Sequence, residues 1–157
     1  MRSRLLALAA FAGTTAAAAA IGGAATGPAL RSFWYRRLNK PRWQPPSGAF
    51  GPVWTGLYAT IALSGWRVWT APPSRARTRA LALWGTQLGL NAAWSWLFFG
   101  ARSPRAALVE LGVLVPSIAL YVREACRVAP SAAWLVAPYL GWTTFATALN
   151  ASIAAMN

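Results

Sequence analysis

The sequence predicts an all-α membrane protein: a bundle of five transmembrane helices with a long ordered loop between the first two. Three observations carry this. The 157 residues are 57% hydrophobic and only 11% charged, whereas soluble domains hold about 45–50% apolar and roughly 25% charged residues. Five runs avoid charge, over residues 5–30, 43–66, 80–101, 106–122 and 128–157, and each supplies all or most of the ~17–25 residues a spanning helix needs. None of these runs alternates apolar with polar residues as membrane-barrel strands do.

The first helix is expected over about residues 5–27, ended by Pro28. Arg2 and Arg4 before an alanine-rich stretch also fit a secretory signal peptide, but the charge-free stretch is long for one. The loop over residues 28–49 has Pro41, Pro45, Pro46 and Gly48, with Gly51 and Pro52 just beyond, which forbid a regular helix through its middle. A loop of that length in a compact bundle is usually functional or disordered. Phe33, Trp34, Tyr35 and Trp43 among five basic residues argue for order at the membrane surface.

The second helix is expected over residues 50–70 and the third over 80–99, joined by an ordinary solvated turn that opens with Pro72 and Pro73. The fourth, over 105–123, is the shortest and holds Glu110 and Pro116; the Glu110 carboxylate is expected near Arg102 or Arg105. The fifth runs over 131–154, closing a single domain of residues 1–157. Short connections make neighbouring helices antiparallel. No internal repeat supports an inverted-repeat transporter.

The formal net charge of +13 comes from 15 basic and two acidic residues. No nucleic-acid partner is expected, because the basic residues sit between apolar runs, where they meet lipid headgroups; attraction of other anions is the secondary reading. The two sides carry eight and seven basic residues, a near tie that fixes no orientation. Cys126 is the single cysteine and there is no histidine, which excludes an intrachain disulfide, a thiolate cluster and a His-dependent triad. No metal site is expected.

In the third helix Gln87 and Asn91 share one face, followed by Trp94 and Phe98. Amides inside a membrane helix either bond a neighbouring helix or line a cavity. The other face carries Gly85, Gly89 and Ala93, a stripe that packs inside the bundle or forms a dimer seam. Tyr139, Trp142, Ala146 and Asn150 repeat the polar-aromatic design in the fifth helix, and Trp54 and Tyr58 lie one turn apart in the second. Three such stripes can converge on a flat, largely apolar ligand.

The segment from Trp34 through Tyr35, Leu38, Lys40, Pro41, Pro45, Pro46, Phe50 and Pro52 to Trp54, Leu57 and Tyr58 resembles the signature of the TspO/translocator protein family, formerly called peripheral benzodiazepine receptors. The later pieces agree in order: Gln87, Leu88, Asn91, Trp94, Phe98, Phe99 and Gly100, then Pro138, Tyr139, Trp142, Phe145, Ala146, Leu149 and Asn150. The resemblance spans nearly the whole chain and argues against removal of the first helix. It implies a homodimeric integral protein of a bacterial cell membrane, with a cavity under the first loop for porphyrins and, in some members, sterols or benzodiazepine-type drugs. No cofactor is required; protoporphyrin IX or a related tetrapyrrole is the ligand. Trp54 and Trp142 look like the tryptophans linked to light-dependent porphyrin breakdown, and Ala146 like a small residue that governs sterol binding. Trp34, Tyr35, Tyr58, Asn91, Trp94 and Leu149 match pocket or lid positions.

The residues themselves suit a metal-free tetrapyrrole, since no axial ligand for haem iron is evident. Arg31, Arg36, Arg37, Lys40 and Arg42 are expected to pair with propionates from the covering loop. After Asn150 the chain lacks the Tyr and Arg of the animal cholesterol motif, and Ala106 stands where animal members carry a pocket tryptophan, so cholesterol and drug binding are expected to be weaker. A porphyrin or sterol transporter, or a stress-regulatory sensor without catalysis, is the competing expectation.

Overall fold

The computed structural model describes residues 2–157, all helical where regular and without strands among them. Helix α1 is Arg2–Leu30, α2 Phe33–Arg37, α3 Ser47–Thr70, α4 Arg75–Ser95, α5 Pro104–Val128 and α6 Pro130–Met156. By length and composition, α1 and α5 are apolar enough to cross a membrane. The helix expected to be shortest is 25 residues long and passes the same test.

The elements run longer than the ranges expected from the sequence. Pro28 lies inside α1 rather than ending it. The helix runs on for two residues, Arg31 and Ser32 donate back to the carbonyls of Pro28 and Ala29, and Ser32 then caps α2 by accepting from the Tyr35 amide at 3.2 Å. The expected loop thus contains a helical turn, and its irregular chain is residues 31–32 and, at greater length, 38–46. Pro104 and Pro130 open α5 and α6 in the first turn, where the missing N–H costs nothing. Arg75, Arg77 and Arg79 belong to the first turns of α4, capped by Ser74, so the preceding connection is only residues 71–74. Ala129 alone separates α5 from α6.

The five long helices pack in a closed ring, α1 against α3, α3 against α6, α6 against α5, α5 against α4 and α4 against α1. Ile61, Leu111, Leu114, Ile118, Tyr121, Val136 and Tyr139 form the main core. Ser64 ties three helices there, reaching the Tyr121 hydroxyl at 2.6 Å and donating to the Ala132 carbonyl at 2.8 Å. At the loop end Leu38, Phe98, Ala107, Leu149 and Ile153 make a second cluster. There Asn157 accepts from the Asn39 amide and donates to its carbonyl, both at 3.0 Å, fastening the irregular chain to the end of α6.

After Ser95 the helix widens into a π turn, Trp96–Gly100, in which the Ala101 amide reaches the Trp96 carbonyl at 2.7 Å. Such turns are uncommon and concentrate at functional sites. A Cβ on Gly100 would stand 2.9 Å from the Trp96 ring, which makes glycine the residue that fits.

Candidate functional site

Beneath the irregular chain lies a cavity of about 520 Å³. Helix α1 contributes Ala19, Gly22, Gly23 and Thr26, one face at helical spacing. The chain after α2 adds Gln44, and α3 adds Phe50, Trp54 and Tyr58. From α4 come Asn91, Trp94 and Ser95, from the π turn Phe98 and Phe99, and from α6 Trp142, Ala146, Leu149 and Asn150. An ordinary α-helix turns successive side chains about 100° apart. The widened turn brings both Phe98 and Phe99 to the wall.

The aromatic lining falls into three packed groups. Trp54 and Tyr58 stand 5.4 Å apart, Trp94 stacks on Phe98 at 5.3 Å, and Phe50 meets Trp142 edge-on at 5.8 Å. The two asparagine amides of the lining are paired. Tyr58 donates to Asn91 Oδ1 at 2.7 Å, and Asn91 Nδ2 donates to the Tyr139 hydroxyl at 3.2 Å. Trp94 Nε1 donates to Asn150 Oδ1 at 3.2 Å, while Asn150 Nδ2 donates to the Pro104 carbonyl at 2.7 Å. Asn91 and Asn150 therefore do both things open to membrane amides, bonding neighbouring helices while facing the cavity.

Of the residues singled out from the sequence, Tyr35, Trp54, Tyr58, Asn91, Trp94, Phe98, Trp142, Ala146, Leu149 and Asn150 line this space. Trp34 does not; it packs behind Phe98 at 6.0 Å and borders a shallower groove with Arg37 and Arg102. Tyr139 is fully buried one layer back. Gln87 is also fully buried and its carboxamide has no hydrogen-bond partner. Ala106 lies outside the wall, where its amide caps onto Ser103 at 3.3 Å.

No charged side chain lines the cavity. Arg36, Arg37 and Arg42 are exposed, Arg37 lying over the Phe33 ring at 4.3 Å. Lys40 reaches the edge indirectly: Nζ donates to the Tyr35 carbonyl at 2.6 Å and sits 3.9 Å over the Tyr35 ring, whose edge faces the cavity. Burial holds the Tyr35 phenol above its ordinary value, partly offset by a hydrogen bond from Gln44, and burial lowers the Lys40 ammonium. Gly85, Gly89 and Ala93 are exposed on the outer face of α4, so this stripe is not internal packing. The expected pairing of Glu110 with Arg102 or Arg105 does not form; Glu110 is buried with both oxygens unpartnered.

The first helix's share of the wall was missed by sequence reasoning. Small residues at positions 19, 22, 23 and 26 were the available signal, hidden in an alanine-rich run.

A ring of long helices with a neutral, aromatic cavity opening at one end is the architecture of a helical membrane protein. The chain belongs to the TspO/MBR family, whose model matches residues 10–156. It is 40% identical to the translocator protein of Homo sapiens over 119 residues, which are 74% of this chain and 70% of that protein. It is similar at 36% to the tryptophan-rich protein TspO of Chlorobaculum tepidum, covering 83% of each chain. The tryptophan-rich sensory protein of Cereibacter sphaeroides is 37% identical over 81% of this chain and 79% of its own. Members of this family are membrane proteins.

Proposed function

We propose that this protein spans its membrane with α1, α3, α4, α5 and α6 and binds a tetrapyrrole, protoporphyrin IX or a close relative, in the cavity beneath the irregular chain. The observation that carries this is the convergence of Trp54, Trp94 and Trp142 from three helices on one space. A flat macrocycle stacks on such rings, each contact adding about 0.5–1.5 kcal/mol beyond burial. The volume of about 520 Å³ lies inside the usual range for small-molecule sites. With no cation in the wall, the propionates extend toward the mouth, where Lys40 is held against Tyr35.

Any light-dependent breakdown of the pigment draws on the excited porphyrin, with Trp54 and Trp142 as electron donors or adduct sites. The protein's part is to hold and orient. Titrating protoporphyrin IX into the protein in lipid nanodiscs should quench tryptophan fluorescence saturably, and absence of saturable quenching rejects the reading. Illuminating the bound pigment in a Trp54→Phe, Trp142→Phe double variant tests the photochemical role separately. Unchanged degradation removes that role and leaves binding standing.

The names of the relatives, translocator and sensory protein, favour a second reading in which the pigment or a sterol is carried or sensed without being altered. Saturable porphyrin flux in darkness from proteoliposomes would decide for carriage.

A further inference from the structure

Glu110 is 9% exposed and Gln87 is fully buried, and all four polar atoms of their side chains lack a hydrogen-bond partner. The two residues lie at a similar depth in the bundle. Asn150 bonds both Trp94 and the Pro104 carbonyl, which sets those three positions at one level. Gln87 is seven residues before Trp94 in α4, and Glu110 six after Pro104 in α5. At about 1.5 Å rise per residue in antiparallel helices, both lie about 10 Å from that level in the same direction. Helices α4 and α5 are packed directly together.

The polarity of the neighbouring hydrogen bonds points the same way. Tyr58 donates to Asn91 and Asn91 donates to Tyr139. The Tyr139 hydroxyl therefore accepts from Asn91 and keeps its own proton for a further acceptor. Tyr139 on α6 and Leu111, next to Glu110 on α5, belong to the same buried core cluster.

We propose that Glu110 and Gln87 form an internal polar site at the α4, α5 and α6 junction that binds one proton, held on the Glu110 carboxyl, together with ordered water. The Tyr139, Asn91 and Tyr58 chain connects this site to the cavity. A bare carboxylate in this setting is costly because no cation answers it. Helix α6 carries no charged residue and presents Tyr139; α4 has its arginines at the opposite end; α3 presents Tyr58 through Asn91; Arg102 and Arg105 are exposed at the entrance to α5. A protonated carboxyl instead donates to ordered water that bridges it to the Gln87 carboxamide, since neither group has a direct partner in the protein. An amide does not relay protons readily, so Asn91 transmits orientation: a ligand that displaces the Tyr58 hydroxyl alters the field at Glu110.

The chain has only two acidic side chains, Glu110 and Glu124, and Glu124 is paired with Arg127 at 2.8 Å. Infrared difference spectra of the whole protein against each single variant, in an ester-free detergent at neutral pH, therefore isolate each carboxyl. The expected result is a protonated-carboxyl stretch that is lost in Glu110→Gln, kept in Glu124→Gln, and moved toward an unbonded carboxyl in Gln87→Leu. No such band at neutral pH, or a band that survives Glu110→Gln, overturns the site; a band unmoved in Gln87→Leu overturns the pairing. The link to the cavity rests on the porphyrin reading, and its outcomes separate. With protoporphyrin IX bound, as scored by fluorescence quenching, the band should shift in the native protein and not in Tyr58→Phe. Bound pigment with an unmoved band overturns the link, whereas failure of the pigment to quench rejects the porphyrin reading and leaves the infrared test of the site intact.

Discussion

The Tyr58 hydroxyl and the Asn91 carboxamide meet at 2.7 Å across α3 and α4, and the same amide reaches Tyr139 on α6. One side chain thereby joins three helices at the cavity wall. Asn91→Leu strands two hydroxyls, one of them on the fully buried Tyr139, at about 1–3 kcal/mol for a buried unsatisfied group. Tyr58→Phe strands only the Asn91 carbonyl oxygen. Thermal unfolding in detergent should rank Asn91→Leu as the more damaging change, and equal or reversed losses would show that the amide is not the joint.

Gly65 on α3 is a contact point for two rings. A Cβ there would stand 2.5 Å from Trp84 Nε1 and 2.8 Å from Phe11 Cδ1. Trp84 cannot swing away freely, because Nε1 donates to the Ile61 carbonyl at 2.9 Å in a buried setting. Gly65→Ala should destabilise by about 1–3 kcal/mol through overpacking. Gly56→Ala on the same helix meets nothing within 4 Å and should stabilise by up to about 1 kcal/mol from helix propensity. If both variants melt alike, the close approach of α1, α3 and α4 at Gly65 is not a constraint.

Much of this architecture is legible in the sequence. The all-helical class and the approximate ranges followed from charge-free runs, since burying charge in lipid is costly wherever the helix sits. The cavity wall on α3, α4 and α6 followed from aromatics and amides at helical spacing. Helix ends did not, because a proline signals a break only where its neighbours cannot supply the missing hydrogen bonds, and Pro28, Pro52, Pro116 and Pro138 all lie inside helices. The basic residues of the covering segment were expected on the ligand, but Phe33 and Tyr35 give Arg37 and Lys40 nearer partners. Glu110 was assigned an arginine by sequence proximity, yet its place on the helix turns it inward.

Tyr35 gives the covering segment a pH signature. Its folded pKa is raised above the ordinary 10.0, chiefly by burial, so the fold holds the phenolic proton more tightly than the unfolded chain does. That contribution is complete below about pH 10 and is lost as pH rises through the folded value. Lys40 acts oppositely, since its lowered pKa means the cost of burying its charge disappears as the ammonium deprotonates below 10.5. Subtracting a Tyr35→Phe titration isolates the phenol. The tyrosinate absorbance difference should have its midpoint above 10.0; a midpoint at or below it would mean that Tyr35 is open to water rather than part of the cavity lining.

The stripe of Gly85, Gly89 and Ala93 faces outward from α4, and a Cβ on either glycine meets nothing within 4 Å. A Gly85→Leu, Gly89→Leu variant should therefore keep the fold of the single chain and gain helix propensity, of order 1 kcal/mol per site. If two copies pair along this face, the added side chains push the helices apart where small residues allowed close approach. Cross-linking in nanodiscs and light scattering in detergent should then show dimer giving way to monomer while the melting of the monomer is unimpaired. An unchanged dimer in both measurements would place the seam elsewhere, and a monomeric native protein would dismiss it.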